Sequence, residues 1–341
     1  MRKTFFALFA ILCSALPREV LAQPDSRPTL VIMWWNVENL FDTRNDPATA
    51  DDDFTPPGLL RWSLKKLALK QMRIRQVLRA IRAHPRYLTY PDILAFAETE
   101  NRQIFSETLS LLGNADYRPV YYEMHDPRGI DIGLAYRPAS VQMLSSKAYR
   151  VPLQEAATRD IVVAGFAAGG HVFHIVLNHW PSRSFDAGWT EPKRVAAARM
   201  ARRIVDSLLT RDRKADIIVM GDFNDEPDNL SVKNVLGSSF NRNDVRISGS
   251  GLLYNCWSAS REKGSYWYRK NWERIDQIIL SAGMLDRKGL SVRNDGAFHA
   301  FTFSRMLDET GSRPWPTYEK GKYRGGYSDH LPLLLKAEIE N

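Results

Sequence analysis

The stretch Ile217-Ile218-Val219-Met220-Gly221-Asp222-Phe223-Asn224-Asp225-Glu226-Pro227 decides how this chain is read. Four apolar residues ending at a glycine predict a buried strand that runs into a tight turn. An aspartate and an asparagine two residues apart at that strand end are expected to share one small polar target. Three more strand ends repeat the pattern. Residues 30–35 deliver Asn36, residues 92–97 deliver Glu98, and Ser328-Asp329-His330 precedes the apolar run 331–335. Any one of these polar residues reads about equally well as a turn cap. Four strands, each bringing carboxylate, amide or imidazole to an edge, read as one hydrolytic metal site.

The composition sets the frame. With 341 residues, 44% hydrophobic and 25% charged, and no internal repeat or low-complexity linker, one large globular domain is expected. It starts after residue 22. Arg2-Lys3, the apolar run 4–16 and Val20-Leu21-Ala22 have the make-up of a secretory signal peptide, too short to span a membrane. The expectation is a signal at 1–22 and a domain at 23–341, exported to the periplasm or the medium as a soluble monomer with no stable membrane insertion. Cys13 leaves with the signal, so Cys256 remains alone. No internal disulfide can form, and stability must come from the core. Removing 1–22 leaves 44 basic and 38 acidic residues, a net +6. That balance favours anionic partners without separating nucleic acid from phospholipid or small phosphorylated molecules.

Further strands are predicted at 117–122, 130–136, 141–149, 160–166, 172–177, 275–280 and 331–337, with Gly169-Gly170 as a hairpin turn. Residues 63–83 form a basic amphipathic helix with Ser63 as N-cap, and residues 193–209 form another helix. The basic face of the first is read as the solvated outside of a helix packed on a sheet. Many strands with a few long helices imply two packed sheets flanked by helices, an α/β sandwich. The polar excursion 43–62, with Asp46, Asp51, Asp52 and Asp53, lacks EF-hand spacing and is expected to be a solvated acidic loop.

Phosphoester hydrolysis needs a cation for the non-bridging oxygens, a positioned water, a base and support for the leaving oxygen. A hard cation such as Mg²⁺ takes oxygen ligands and needs only one or two carboxylates. Glu98 is the first-choice ligand, with Asn36 and Asp329 completing the shell directly or through water. Asp222 and Asn224 orient the attacking water, Asp222 being the base. Two histidines, His179 and His330, are placed to pass a proton or stabilise phosphate charge. Each needs a carboxylate partner: Asp276 for His330, and Asp131 for His179.

Six segments in order, Trp35-Asn36-Val37-Glu38-Asn39-Leu40, Ala97-Glu98-Thr99-Glu100-Asn101, Asn178-His179-Trp180-Pro181-Ser182, Gly221-Asp222-Phe223-Asn224, Arg274-Ile275-Asp276 and Ser328-Asp329-His330, resemble the motif series of the endonuclease/exonuclease/phosphatase superfamily. The resemblance covers residues 30–337. It implies a four-layered α/β sandwich of two mixed sheets with helices outside. It also implies a divalent metal, usually Mg²⁺ with Mn²⁺ or Ca²⁺ as alternatives, held by the residue matching Glu98. Asn36, Asp222, Asn224, Asp276 and His330 match catalytic positions, and His179 matches the deoxyribonuclease-like and sphingomyelinase-like branches. Glu98 follows Phe96-Ala97 rather than the usual Leu-Gln, which keeps Glu100 open as an alternative ligand.

Two segments bear on the substrate. Residues 265–274 and 313–327 interleave aromatics with Arg and Lys, which suits stacked bases and phosphates as well as loop anchors with solvated charges. Arg183, Tyr268, Arg269, Trp272 and Arg324 are the substrate-binding candidates. The expected activity is that of an exported phosphodiesterase or nuclease. Phospholipid or inositol-phosphate hydrolysis, and a catalytically inactive binding protein on the same fold, stand as alternatives.

Overall fold

Alternate residues of β1 (Thr29–Leu40) face different apolar layers. Leu30, Ile32 and Trp34 pack into one buried cluster, and Val31, Met33 and Trp35 into another. A strand buried on both faces lies inside a sheet covered on both sides. The structure, a computed structural model, describes residues 27–113, 115–153, 157–183, 187–247, 249, 251–293 and 295–340. The signal peptide expected at 1–22 lies outside the described residues.

After β1 come α1 (Leu64–Ala83), β2 (Ile93–Thr99), α2 (Arg102–Ser110), β3 (Arg118–Tyr121) and β4 (Asp131–Tyr136). β5 (Gln142–Tyr149), β6 (Ile161–Ala168), β7 (His171–His179), α3 (Ala187–Arg211) and β8 (Asp216–Asp222) follow. Then come β9 (Ser238–Ser239), α4 (Arg242–Arg246), β10 (Leu253–Asn255), β11 (Tyr266–Tyr268), β12 (Asn271–Glu273) and β13 (Asp276–Leu280). The chain closes with β14 (Leu290–Ser291), β15 (Phe298–Ala300), β16 (Tyr318–Glu319), β17 (Lys322–Tyr323) and β18 (Leu333–Ile339). One sheet has the order β14-β18-β1-β2-β4-β3, with β15 also on β18, and the other β5-β6-β7-β8-β13-β10-β9. Both are mixed: β1 runs parallel to β2 and antiparallel to β18, while β7 runs parallel to β8 and β8 antiparallel to β13.

The layers follow from side-chain alternation. Between the sheets lie Ile32, Trp34, Ala95, Ile175, Leu177, Ile218, Met220, Ile278 and Leu335. The outer face of the first sheet packs on Ile74, Val77, Leu78 and Ile81 of α1 and on Ile104 and Phe105 of α2. The outer face of the second packs on Ala197, Ala198, Ala201, Ile204 and Val205 of α3. This is the four-layered α/β sandwich expected from the sequence.

Ser63 caps α1 by accepting from Lys66 N, as predicted. Three local expectations differ. β1 continues through residue 40, α3 begins at Ala187 with Pro192 inside it, and α2 went unread. The excursion 43–62 is also not a wholly solvated acidic loop. Asp46, Asp52 and Asp53 are exposed, but Asp51 is buried and accepts from Asp46 N (3.0 Å), so it organises the loop from within.

Candidate active site

Strand register builds one half of the site. On adjacent strands β7, β8 and β13, His179 pairs with Asp222 and Asp222 with Asp276. The three side chains stand in one row, about 4.8 Å apart along the sheet. Gly221 makes the row possible, because a Cβ there would sit 2.1 Å from Asn178 O. The other half comes from the facing sheet. β1 supplies Asn36, and β2 supplies Glu98 from a bulge where the register slips between Ala97 and Thr99 and Glu98 takes φ +61°. That left-handed conformation costs about 1–3 kcal/mol and turns the carboxylate toward Asn36. The Asn36 amide then joins the sheets: its Nδ2 donates to Glu98 Oε1 (3.1 Å) and to Asp222 Oδ2 (3.2 Å), while its Oδ1 accepts from Glu38 N (3.0 Å).

Asp276 is completely buried and its carboxylate is saturated. Oδ1 accepts from Trp34 Nε1 (2.9 Å), and Oδ2 from Ser265 Oγ (2.7 Å) and His330 Nδ1 (2.7 Å). Burial opposes a proton on His330, but the Asp276 charge and hydrogen bond, with Asp329 and Asp222 nearby, outweigh it and push the imidazole well above its ordinary range. His330 is therefore an imidazolium with Nδ1 committed and Nε2 free to act. That Nε2 lies 4.0 Å from Asp222 Oδ2 and 3.8 Å from Asp329 Oδ1. Tyr266 packs against the ring at 4.5 Å with its plane tilted by 31°, and Trp35 Nε1 donates to His330 O (3.0 Å). The expected Asp276–His330 pair is present.

The expected Asp131–His179 pair is not. Asp131 Oδ1 accepts from Met124 N (2.9 Å), while His179 Nδ1 is buried without a hydrogen-bond partner among the described residues. Asp131 opens β4 in the first sheet, opposite Thr99 of β2, whereas His179 ends β7 in the second. Burial, then the positive charges of Arg159, Arg128 and His330, hold His179 well below the ordinary histidine range. It is neutral, and its Nε2 lies 3.8 Å from Asp222 Oδ2 and 4.0 Å from Glu98 Oε1. With two carboxylates facing Nε2, the proton belongs on that nitrogen.

Asn224 closes the turn after β8. Its backbone N–H donates to Asp222 Oδ1 (2.9 Å) and its Nδ2 to Trp180 O (3.0 Å). Burial, reinforced by the Asp276 charge, pushes Asp222 up to about 7. Glu100, the alternative ligand, is placed elsewhere: it accepts from Asp42 N (2.5 Å) and lines a separate cavity with Asp42, Asp46 and Asp131.

Two residues that position the site went unread. Glu38 accepts backbone N–H groups from Thr317 (2.6 Å), Tyr318 (2.9 Å) and Asp329 (3.1 Å). Lys70, on α1, donates to Thr317 Oγ1 (2.5 Å) and Tyr327 O (2.9 Å). Burial pushes Glu38 up to about 8, helped by Asp329 and opposed by Lys70. It pushes Lys70 down to about 8, opposed by Glu38. Together they fasten the segment that carries Asp329 and His330 to β1. Glu38→Ala strands three buried N–H groups and should lower unfolding stability by about 3–5 kcal/mol in urea. A loss under 1 kcal/mol would show that the clamp does not hold this segment.

The two aromatic-basic segments are hairpins rather than loops. β11 and β12 pair around Arg269-Lys270, both at positive φ. Tyr268 is 42% exposed, with Arg269 at 5.1 Å and Arg183 at 6.0 Å from its ring. Arg183 also pairs with Glu273. Trp272 is half-buried, edge-on to Trp267 and packed on the first sheet's outer cluster, so it anchors the hairpin. Arg324 pairs with Glu319 (2.8 Å) beside the second hairpin, β16–β17.

The sequence profile of the endonuclease/exonuclease/phosphatase family matches residues 31–339. The chain belongs to this family. No curated protein sequence matches it, but solved structures share its fold. The human Nocturnin catalytic domain with bound sulfate is 19% identical, with 92% of this chain and 95% of that one covered and a TM-score of 0.53. A family protein from Bacteroides thetaiotaomicron is 14% identical, with 92% and 96% covered and a TM-score of 0.56. D. rerio TDP2 complexed with single-strand DNA product is 16% identical, with 91% and 99% covered and a TM-score of 0.53.

The family's chemistry is metal-dependent phosphoester hydrolysis of the nuclease and phosphatase kind, and this donor set fits a hard divalent cation. Glu98 and Asp329 offer carboxylate oxygens and Asn36 an amide oxygen, all at the same spot. Asp222, Asp276 and His330 also bring ligand atoms within 4.8 Å of one another. The three hydrogen bonds on Asp276 make that trio an orienting relay instead. Among the described residues Cys256 is free and buried, and no helix is long and apolar enough to cross a membrane.

Proposed function

We propose that this protein is an exported phosphodiesterase that cleaves nucleic acid, with a divalent cation, Mg²⁺ by preference, held by Glu98 with Asn36 and Asp329. One observation carries the reading. Glu98, His179, Asp222, His330 and Asp329 ring a single spot with gaps of 3.8–4.0 Å. These gaps exceed a hydrogen bond and leave room for shared phosphate or water oxygens. When bound, the cation would neutralise the non-bridging oxygens and the leaving oxygen.

The chain's own residues supply the rest. Asp222, raised to about 7, takes the proton of the attacking water. Asn224, with Nδ2 held by Trp180 O, offers Oδ1 to the same water. His330, held cationic by Asp276, donates from Nε2 to a phosphoryl oxygen, and neutral His179 donates from its own Nε2. Nucleic acid is favoured over other phosphoesters by exposed Tyr268 with Arg269 and Arg183 on its ring, a platform suited to a base and its phosphate. A TDP2 relative solved with single-strand DNA product agrees with this choice.

The test uses purified mature protein with Mg²⁺, Mn²⁺ or EDTA on plasmid DNA, RNA, sphingomyelin, inositol phosphates and bis(p-nitrophenyl) phosphate. Plasmid or RNA cleavage that EDTA abolishes is expected. Turnover confined to lipid or small phosphoesters would refute the substrate and keep the site. An N-terminus at Gln23 in the exported product, with monomer mass, tests the signal at 1–22.

A further inference from the structure

Beside His179 a cavity of about 230 Å³ opens where β7 leads toward α3, lined among others by Arg128, Thr158, Arg159, Ser182, Trp189 and Lys193. Its electrostatics are unbalanced. Asp126 takes Arg128 Nε and Nη2 (3.0 Å each) and also Arg159 Nη1 (2.6 Å). One carboxylate therefore answers two guanidiniums, and Lys193 adds a third positive charge. Hydrogen bonding is unbalanced too. Arg159 is 3% exposed and its Nη2 donates to Trp180 O (2.5 Å), yet its Nε has no partner. Thr158 is 5% exposed and its Oγ1 likewise has none. Buried donors left unmade are costly, and two of them on lining residues with surplus cations favour an anionic acceptor there.

The position relates the cavity to the reaction. Trp180, whose carbonyl anchors Arg159, follows His179, and the same carbonyl holds Asn224. Arg159 and Arg128 are close enough to depress the His179 imidazole. At the mouth, Trp189 is 67% exposed with the Lys193 ammonium 4.8 Å from its ring. An aromatic face next to a cation matches a base and the phosphate attached to it.

We propose that this cavity binds a phosphate of the substrate strand adjacent to the one hydrolysed, with its base against Trp189. The place on a strand and the base contact rest on the nucleic-acid reading above, whereas the binding of a phosphate as such does not. Such a subsite sets the register of the strand and makes oligonucleotides better ligands than single phosphates.

EDTA-treated mature protein, in which turnover is off, is titrated calorimetrically with inorganic phosphate and with the dinucleotide pTpT. Thr158→Val should leave the unfolding temperature unchanged or higher, since it removes an unpartnered buried hydroxyl, and should weaken both ligands several-fold. Lys193→Met should weaken both about tenfold, and Trp189→Ala should weaken pTpT alone about tenfold. Wild-type affinities in Thr158→Val and Lys193→Met would overturn the phosphate site, and unchanged pTpT affinity in Trp189→Ala would overturn the base contact. Plasmid nicking separates the two readings. Nicking by wild type with unaltered binding in all three variants sinks this subsite alone. Loss of phosphate binding in the variants of a protein that cleaves no nucleic acid supports the phosphate site and sinks the substrate assignment.

Discussion

Asp222→Asn should lower kcat by about 10²–10⁴-fold while the protein stays folded. The two halves of that result have separate causes. Catalytically, Asp222 faces the open spot between His179 and His330 and is the carboxylate there whose affinity for a proton is brought to about 7, where a base both accepts and releases readily. Structurally, the same burial makes the ionised carboxylate a liability. Its folded-state value lies above the ordinary 3.8, so the fold holds a proton that the unfolded chain gives up. This group therefore erodes stability as pH climbs from about 4 to about 7. Asparagine removes that penalty but no longer accepts at both atoms, so the bond from Asn36 Nδ2 (3.2 Å) is lost, costing about 1 kcal/mol. The two terms oppose each other. Urea unfolding in EDTA should show stability near wild type beside a collapsed turnover. Substantial residual kcat would move the base elsewhere, and unfolding would make Asp222 a structural residue.

How much of this was legible before the structure depends on where each side chain's partners lie. Asp222, Asn224, Asn36 and Glu98 sit where an apolar strand meets a polar turn, and that boundary is written locally. The Asp276–His330 pair was legible because a histidine needs a carboxylate to fix its tautomer, and Asp276 stands at the start of an apolar strand; the hydrogen bond is present. The same logic failed for His179, because Asp131 opens a strand of the other sheet, where its carboxylate accepts from Met124 N. Lys70 was read as part of a solvated basic face. Yet it lies three residues after Leu67 and four before Ile74, on the apolar stripe itself, and that phase was the available signal of burial. Its partners Thr317 and Tyr327 stand about 250 residues on, beyond any local pattern. Arg128 meets Asp126 two residues away, but Arg159 reaches the same carboxylate from 33 residues on, and nothing in its own neighbourhood announces that.

Asp276→Asn should reduce kcat/KM by about 10²–10³-fold and move the alkaline limb of its pH profile to lower pH. The side chain that changes never touches substrate, since all three of its hydrogen bonds go to protein. Its effect passes through His330. With the carboxylate present, the imidazolium is held well above its ordinary 6.5. The stability it contributes is complete below that ordinary value and is lost as pH rises through the raised one. An amide at 276 keeps an acceptor for Nδ1–H but not the charge, and burial, the force opposing protonation, then prevails. His330 becomes neutral at a pH where the wild type is still charged, and the phosphoryl oxygen loses its cationic donor there first. His330→Ala loses the donor at every pH and should show the rate deficit without the shifted limb. The contrast between the two variants carries the argument, because a group that merely packs under Tyr266 would lower activity evenly. An unshifted limb in Asp276→Asn would mean that His330 works as a neutral ring, and that the charge on the phosphate is met by the cation and the arginines alone.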